Sequence, residues 1–76
     1  MSNAIQPQFI ALKEISSHVK KLYSENGADT LIGSMVTTKG ILVLLFSHRL
    51  NKEFSFIVSG SEIAPVMARI YEIFTS

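Results

Sequence analysis

The sequence contains no cysteine, which excludes disulfide bonds, zinc fingers built on thiolates and thiol chemistry. Its two histidines, His18 and His48, are too few to hold a metal ion without several carboxylates. A chain of 76 residues buries only about 60% of the surface that its unfolded form exposes. Small domains without disulfides or metals are commonly stabilised by a partner chain, so we expect this chain to associate with itself.

Charge of either sign is scarce. Charged residues make up 17% of the chain and the net charge is +1, which favours neither nucleic acid nor membrane surfaces as partners. Apolar residues make up 47%, a high share for a small domain, so we expect part of the apolar surface to lie in an interface. We expect no cofactor.

Long hydrophobic runs are also missing. The longest run, Gly40 to Phe46, falls far short of the roughly 18 apolar residues that indicate a membrane span. The N-terminal "MSNAIQPQ" lacks the charged and apolar regions of a signal peptide, and a cytoplasmic protein is therefore predicted. Residues 1–7 are interpreted as a flexible N-terminus or tag remnant, and residues 8–76 as a single domain.

The apolar pattern of residues 8–76 predicts the element order αβββα. Spacings of three and four predict a helix from Gln8 to about Ser24, which the pair Asn26-Gly27 ends. Three β-rich runs follow, at residues 30–37, 41–47 and 54–58, and their short connections indicate an antiparallel meander. A capping-box spacing then introduces a second helix that ends near Phe74. The predicted fold class is α/β of the α+β kind.

The middle strand is apolar on both faces, with Ile41, Val43 and Leu45 on one side and Leu42, Leu44 and Phe46 on the other. Both faces therefore need a cover. In the simplest arrangement one helix covers each face. In the other, both helices cover one face and a second subunit covers the opposite one. Because the run at residues 30–37 has no proline, we expect two copies to join along this edge into a six-stranded sheet.

The segments "ENGADTLIGSMVTTKGILVLL" and "KEFSFIVSGSEIAPVMARIYEIF" resemble the second half of a roadblock-type domain. This family includes dynein light chains and regulators of small GTPases. Gly40 takes the place of its hairpin glycine, but the chain has no counterpart of the family's opening helix and first two strands. The resemblance implies helices on opposite faces, a homodimer formed through the first helix and first strand, and a small GTPase as a possible partner. The predicted dimer interface consists of Phe9, Leu12, Val19, Tyr23, Ile32, Ser34 and Val36.

Polar residues cluster around the connection at residues 48–53. A catalytic histidine there would need an orienting carboxylate and a nucleophile, and no spacing supplies both, so we predict no catalytic, cofactor or metal site. The residues predicted to contact a partner or a phosphate are Lys20, Lys21, His48, Arg49 and Lys52. The predicted function is a non-enzymatic homodimeric interaction module, such as a roadblock-type scaffold or adaptor. The alternatives are a small bacterial or viral inhibitor that occludes a host protein, and a weak nucleic-acid binder.

Overall fold

The structure is a computed structural model that describes residues 7–75, so the interpretation of residues 1–6 lies outside the described part of the chain. A single 3₁₀ turn at Leu12–Glu14 precedes the first helix. The elements are β1 (Gln8–Ile10), α1 (Ile15–Asn26), β2 (Ala28–Thr37), β3 (Gly40–Ser47), β4 (Lys52–Ser59) and α2 (Ile63–Thr75). The predicted α+β class and its two helices are confirmed.

The sheet has four strands in the order β1-β4-β3-β2, which corrects the predicted three-stranded meander. β2, β3 and β4 form antiparallel pairs, whereas β1 runs parallel to β4 and pairs with Phe56–Val58. Residues 8–10 were predicted as the first turn of a helix. They are extended because the free edge of β4 offers backbone partners and Ile10 becomes buried there. A hydrogen bond from the Ala11 N–H to Glu14 Oε1 (2.8 Å) then leads into the helical segment.

Both helices cover the same face of the sheet, which corrects the expectation of one helix on each face. Ile41, Val43 and Leu45 of β3 are at most 1% exposed and share one core with Ile15 and Val19 of α1 and with Val66 and Ile70 of α2. Because β1 and β4 are parallel neighbours, both finish at the same end of the sheet, and the helices that follow them, α1 and α2, pack against each other. The molecule is only 18 Å thick, as expected for two layers.

Within residues 7–75, neither helix is long and apolar enough to cross a membrane.

Candidate interaction surfaces

The sheet face opposite the helices is apolar, and we call it the open face. The strand registers align Met35 with Leu42, Leu42 with Ile57, and Ile57 with Phe9, so one apolar row crosses all four strands. Phe9 and Met35, at the ends of this row, are 48% and 57% exposed. The open face consists of Phe9, Met35, Leu42, Leu44, Phe46 and Ile57.

In the next two rows of the open face, the residues on either side of β3 are small or polar. Leu44 lies between Gly33 and Ser55, so small residues flank it on both neighbouring strands. A Cβ added at Gly33 would meet no atom within 4 Å, which leaves open space beside Leu44. The row beyond it places Thr30 and Glu53 on either side of Phe46, and a carboxylate therefore marks one end of the face.

The outer edge of β2 is a second exposed feature, because β2 is the last strand of the sheet. Bulges at Asp29 and Ile32 interrupt its pairing with β3, whereas Gly33–Thr37 pairs regularly. The segment from Thr30 to Thr37 has no proline or charged residue, the usual protections of an edge strand. Val36 is 66% exposed there, which makes this edge suited to pairing with another strand.

An apolar flank of α2 borders this edge. The ring of His18 lies 4.8 Å from that of Phe56, which places this part of α1 over β4. α2 packs against β2, and the end of α1 also contacts β2, which follows it in the chain. Ser16 and Lys20 of α1 line a shallow groove with Glu72 and Ile73, so α1 follows that side of α2. At 100° per residue, Tyr71 lies on the opposite side of α2 from Ile73, and it is 55% exposed. We call the backbone edge Gly33–Thr37, together with the side chains of Val36 and Tyr71, the edge site.

The seven residues of the predicted dimer interface do not form one surface. Val19 is fully buried in the chain's own core, and Leu12 packs against that core. Phe9 lies on β1, at the other edge of the sheet from β2. Tyr23 of α1 is 50% exposed, with its ring 6.1 Å from that of Phe74. Ile32, Ser34 and Val36 lie together on β2.

Sequence reasoning missed the contribution of α2 to this surface. The sequence predicted a second helix that ends near Phe74, and the predicted dimer interface contained none of its residues. The structure leaves Tyr71 55% exposed and Ile63 40% exposed. Their position beside β2 depends on which helix covers which strand, which the pattern of a single helix does not contain.

The cluster around His48 has hydrogen bonds but no catalytic geometry. His48 Nδ1 lies 3.3 Å from both Asp29 Oδ1 and Thr30 Oγ1, and the Thr30 hydroxyl donates to Asp29 (3.0 Å). These hydrogen bonds, that of His48 first, hold the pKa of Asp29 below its ordinary value. A nucleophile activated by a histidine base would direct its proton at the imidazole, with the carboxylate on the other ring nitrogen. Here the hydroxyl proton is directed at the carboxylate, so the arrangement ties β2 to the β3–β4 loop.

The predicted cationic residues make different contacts. Arg49 Nη2 donates to the carbonyl of Glu25 (2.9 Å) at the end of α1, and Lys52 Nζ lies 5.2 Å from the centre of the Phe54 ring. Lys20 lines a groove of about 370 Å³ between the helices, with Tyr23, Ser24, Ile73 and Phe74. Lys21 lines a different groove that includes His18. Within the described residues, no three His, Cys, Asp or Glu side chains are grouped in a way that could hold a metal ion.

Comparison with known proteins adds no relative. No family model matches the chain, and searches of curated proteins and of solved structures find no significant match. The resemblance to a roadblock-type domain therefore remains a prediction.

Proposed function

We propose that the chain is a non-enzymatic homodimeric protein–protein interaction module in which two copies pair through their edge sites. Two four-stranded sheets would then join into one continuous sheet of eight strands. The observation that carries this proposal is a regular, unprotected strand edge at Gly33–Thr37 that bears the exposed apolar side chain of Val36, with α2 packed against the same strand. An added strand satisfies the free backbone groups and covers the apolar flank at the same time.

The charges at the two ends of β2 favour a second copy as the added strand. Asp29 and Lys39 lie equally far along the chain from Ser34, on opposite sides of it. In an antiparallel pair centred near Ser34, Asp29 of each copy lies toward Lys39 of the other. A parallel pair would bring like charges together. Exposed ion pairs contribute only about 0–1 kcal/mol each, so these charges select the orientation while apolar contact supplies the affinity.

The helix layer remains on the outside of such a dimer and offers its surface to a different protein. The groove between α1 and α2 has apolar walls from Tyr23 and Phe74 and the cation of Lys20 at its rim. This combination suits an apolar side chain next to an acidic one. A small GTPase, the partner that the roadblock resemblance implies, and a host protein occluded by an inhibitor are both candidates for this surface.

The edge pairing is tested by sedimentation equilibrium on the wild type and the Val36→Lys variant. A lysine at this exposed strand position protects the edge, so we expect Val36→Lys to halve the mass of the wild-type assembly. Ala68→Lys introduces the same lysine side chain at an exposed position of α2. It is the matched control, and we expect it to retain the wild-type mass. A wild-type protein that sediments as a single chain at micromolar concentration would contradict the proposal, and so would an unchanged mass for Val36→Lys.

The nucleic-acid alternative makes a different prediction. A net charge of +1 gives no basic excess, and Arg49 and Lys52 are engaged by the Glu25 carbonyl and the Phe54 ring. We therefore expect elution from heparin at low salt, with little change in Lys20→Glu/Lys21→Glu. Retention that falls steeply with salt and disappears in this double variant would favour nucleic-acid binding instead.

A further inference from the structure

We infer that the peptide bond between Asn26 and Gly27 is a site of spontaneous deamidation that the folded chain suppresses, with the β3–β4 loop setting the rate by holding the end of α1. Asn26 is the last residue of α1, and Gly27 follows it in the left-handed conformation, with φ of 68°. The inference is independent of the proposed edge pairing, because it concerns contacts within one chain.

The chemistry needs only the chain and water. The backbone nitrogen of Gly27 attacks the side-chain carbonyl carbon of Asn26 and closes a five-membered succinimide ring, while its proton leaves with the side-chain amide as ammonia. Water then opens the ring at either carbonyl and leaves aspartate or isoaspartate at position 26. Glycine favours the attack, because no side chain obstructs the nitrogen and the backbone turns easily. Within residues 7–75 the other asparagine, Asn51, precedes Lys52, whose side chain obstructs the same attack.

The folded backbone opposes ring closure at Asn26. The ring closes when the Cβ of Asn26 and the nitrogen of Gly27 lie on the same side of the Cα–C bond, whereas the ψ of a helical residue, about −42°, holds these two atoms apart. The Gly27 N–H also donates to the carbonyl of Tyr23 at 2.9 Å. Its nitrogen therefore loses a hydrogen bond before it can attack.

Residues from the end of β3 and the β3–β4 loop hold the same peptide unit. The hydroxyl of the fully buried Ser47 donates to the Asn26 carbonyl at 2.6 Å, and Arg49 Nη2 donates to the Glu25 carbonyl at 2.9 Å. Rotation about ψ of Asn26 swings both the carbonyl that Ser47 holds and the N–H that Tyr23 holds. The reactive geometry is therefore reached only when the helix end opens, and the rate follows the opened fraction.

Peptide mass spectrometry on the full chain, incubated at neutral pH with and without guanidinium chloride, tests the suppression. We expect Asn26 to deamidate at least about tenfold more slowly in the folded chain, because only the opened fraction reacts. In guanidinium chloride, Asn26 should react faster than Asn51. Asn26→Gln, which would have to close a larger ring, assigns the signal to this position. Equal rates in the folded and unfolded chains would overturn the inference.

A matched pair of exposed residues tests the hold of the loop. Arg49→Gln removes the hydrogen bond to Glu25, whereas Lys52→Gln makes the same kind of change at a residue that contacts the Phe54 ring instead. We expect Arg49→Gln to raise the rate in the folded chain by about two- to tenfold, as the loss of one hydrogen bond does, and Lys52→Gln to keep the wild-type rate. Equal rates in these two variants, with circular dichroism showing both folded, would overturn the role of the loop.

A second pair of variants separates local opening from unfolding of the whole chain. Ser47→Ala frees the Asn26 carbonyl, and we expect it to accelerate deamidation at least as much as Arg49→Gln. Val66→Ala leaves a cavity in the core at a residue of α2, so it lowers the stability of the whole fold but keeps the contacts of the helix end. It should react at close to the wild-type rate. An equal acceleration in Val66→Ala and Ser47→Ala would show that the site reacts through global unfolding and would overturn the inference.

Discussion

At the residue scale, the polar residues at the end of β3 and in the β3–β4 loop are explained by their contacts with the end of α1. The buried Ser47 hydroxyl donates to the carbonyl of Asn26 (2.6 Å), and Arg49 donates to that of Glu25. Gly27 closes the helix with φ of 68°, and its N–H donates to the carbonyl of Tyr23. These donors satisfy carbonyls that a helix end leaves without partners. The polar character of this loop therefore stabilises α1.

Gly27 gives the sharpest stability prediction. An alanine there would hold a strained left-handed conformation, and its Cβ would lie 2.9 Å from Arg49 Nε. We expect Gly27→Ala to lower the free energy of unfolding by roughly 1–3 kcal/mol, measured by urea denaturation. Gly33→Ala, where the added Cβ has open space, changes it by less than about 0.5 kcal/mol. Equal effects at the two glycines would contradict this account of the helix end.

His18 predicts a pH dependence of stability. Burial against the sheet, and then the charge of Lys21, lower the pKa of His18, with Glu14 acting in the opposite direction. The unfolded chain therefore takes up a proton at His18 near pH 6.5 that the folded chain does not. The contribution of His18 to the free energy of unfolding is fully present above this pH. We expect stability to fall as the pH drops from about 6.5 toward the lower pKa of the folded state.

Urea denaturation at several pH values between neutral and mildly acidic tests this prediction. His18→Gln should remove much of the fall, whereas Ser17→Gln, the same side chain at the neighbouring exposed position, should keep it. An unaltered pH profile in His18→Gln would assign the dependence to other groups.

At the scale of elements, the position of α2 decides which helix belongs to the proposed interface. The part of α1 that carries His18 lies over β4, against Phe56, and α2 packs against β2. We therefore expect an interface at the β2 edge to meet Tyr71 of α2. Val19 of α1 is buried in the core of the same chain, and Leu12 of the preceding 3₁₀ turn packs against that core.

A matched pair of tyrosines tests this assignment. Tyr71 on α2 and Tyr23 on α1 are 55% and 50% exposed, so the same substitution perturbs each chain to a similar extent. We expect Tyr71→Lys to weaken the edge pairing by at least tenfold in dissociation constant, about 1.4 kcal/mol, as measured by sedimentation equilibrium. Tyr23→Lys should leave it unchanged. If Tyr23→Lys weakened the pairing more than Tyr71→Lys, the interface would be assigned to the first helix.

At the scale of the whole molecule, the two-layer architecture links stability to association. One sheet face packs against both helices, and the open face and the β2 edge remain for other chains. Each surface that a second copy covers stabilises the folded state by mass action. A chain of this size has a small free energy of unfolding, so stabilisation by association should be detectable in its thermal unfolding.

We expect the Tm of the wild type to fall on dilution, measured by differential scanning calorimetry. The Val36→Lys variant should show a lower Tm that does not depend on concentration, because its unfolding involves one chain only. A wild-type Tm that stays constant over the same dilution would argue against the edge pairing.

The sequence predicted the local features that depend on short spacings. The turn before Gly40, the two strands that flank it, the closing of α1 at Gly27 and the course of α2 all follow from residues a few positions apart. The apolar pattern of β3 also showed that both of its faces need a cover. It could not show which cover each face receives, because Leu42 and Val43 look equally apolar in the sequence.

Only the tertiary structure decided three features that position the candidate surfaces. Residues 8–10 became a strand because the edge of the distant β4 was free, although Phe9 and Ile10 fitted a helical stripe equally well. Both helices came to one face, where their buried side chains share one core with β3. Arg49 came to the end of α1 from a loop 24 residues away. Each of these depends on contacts between segments far apart in the chain, which local periodicity does not encode.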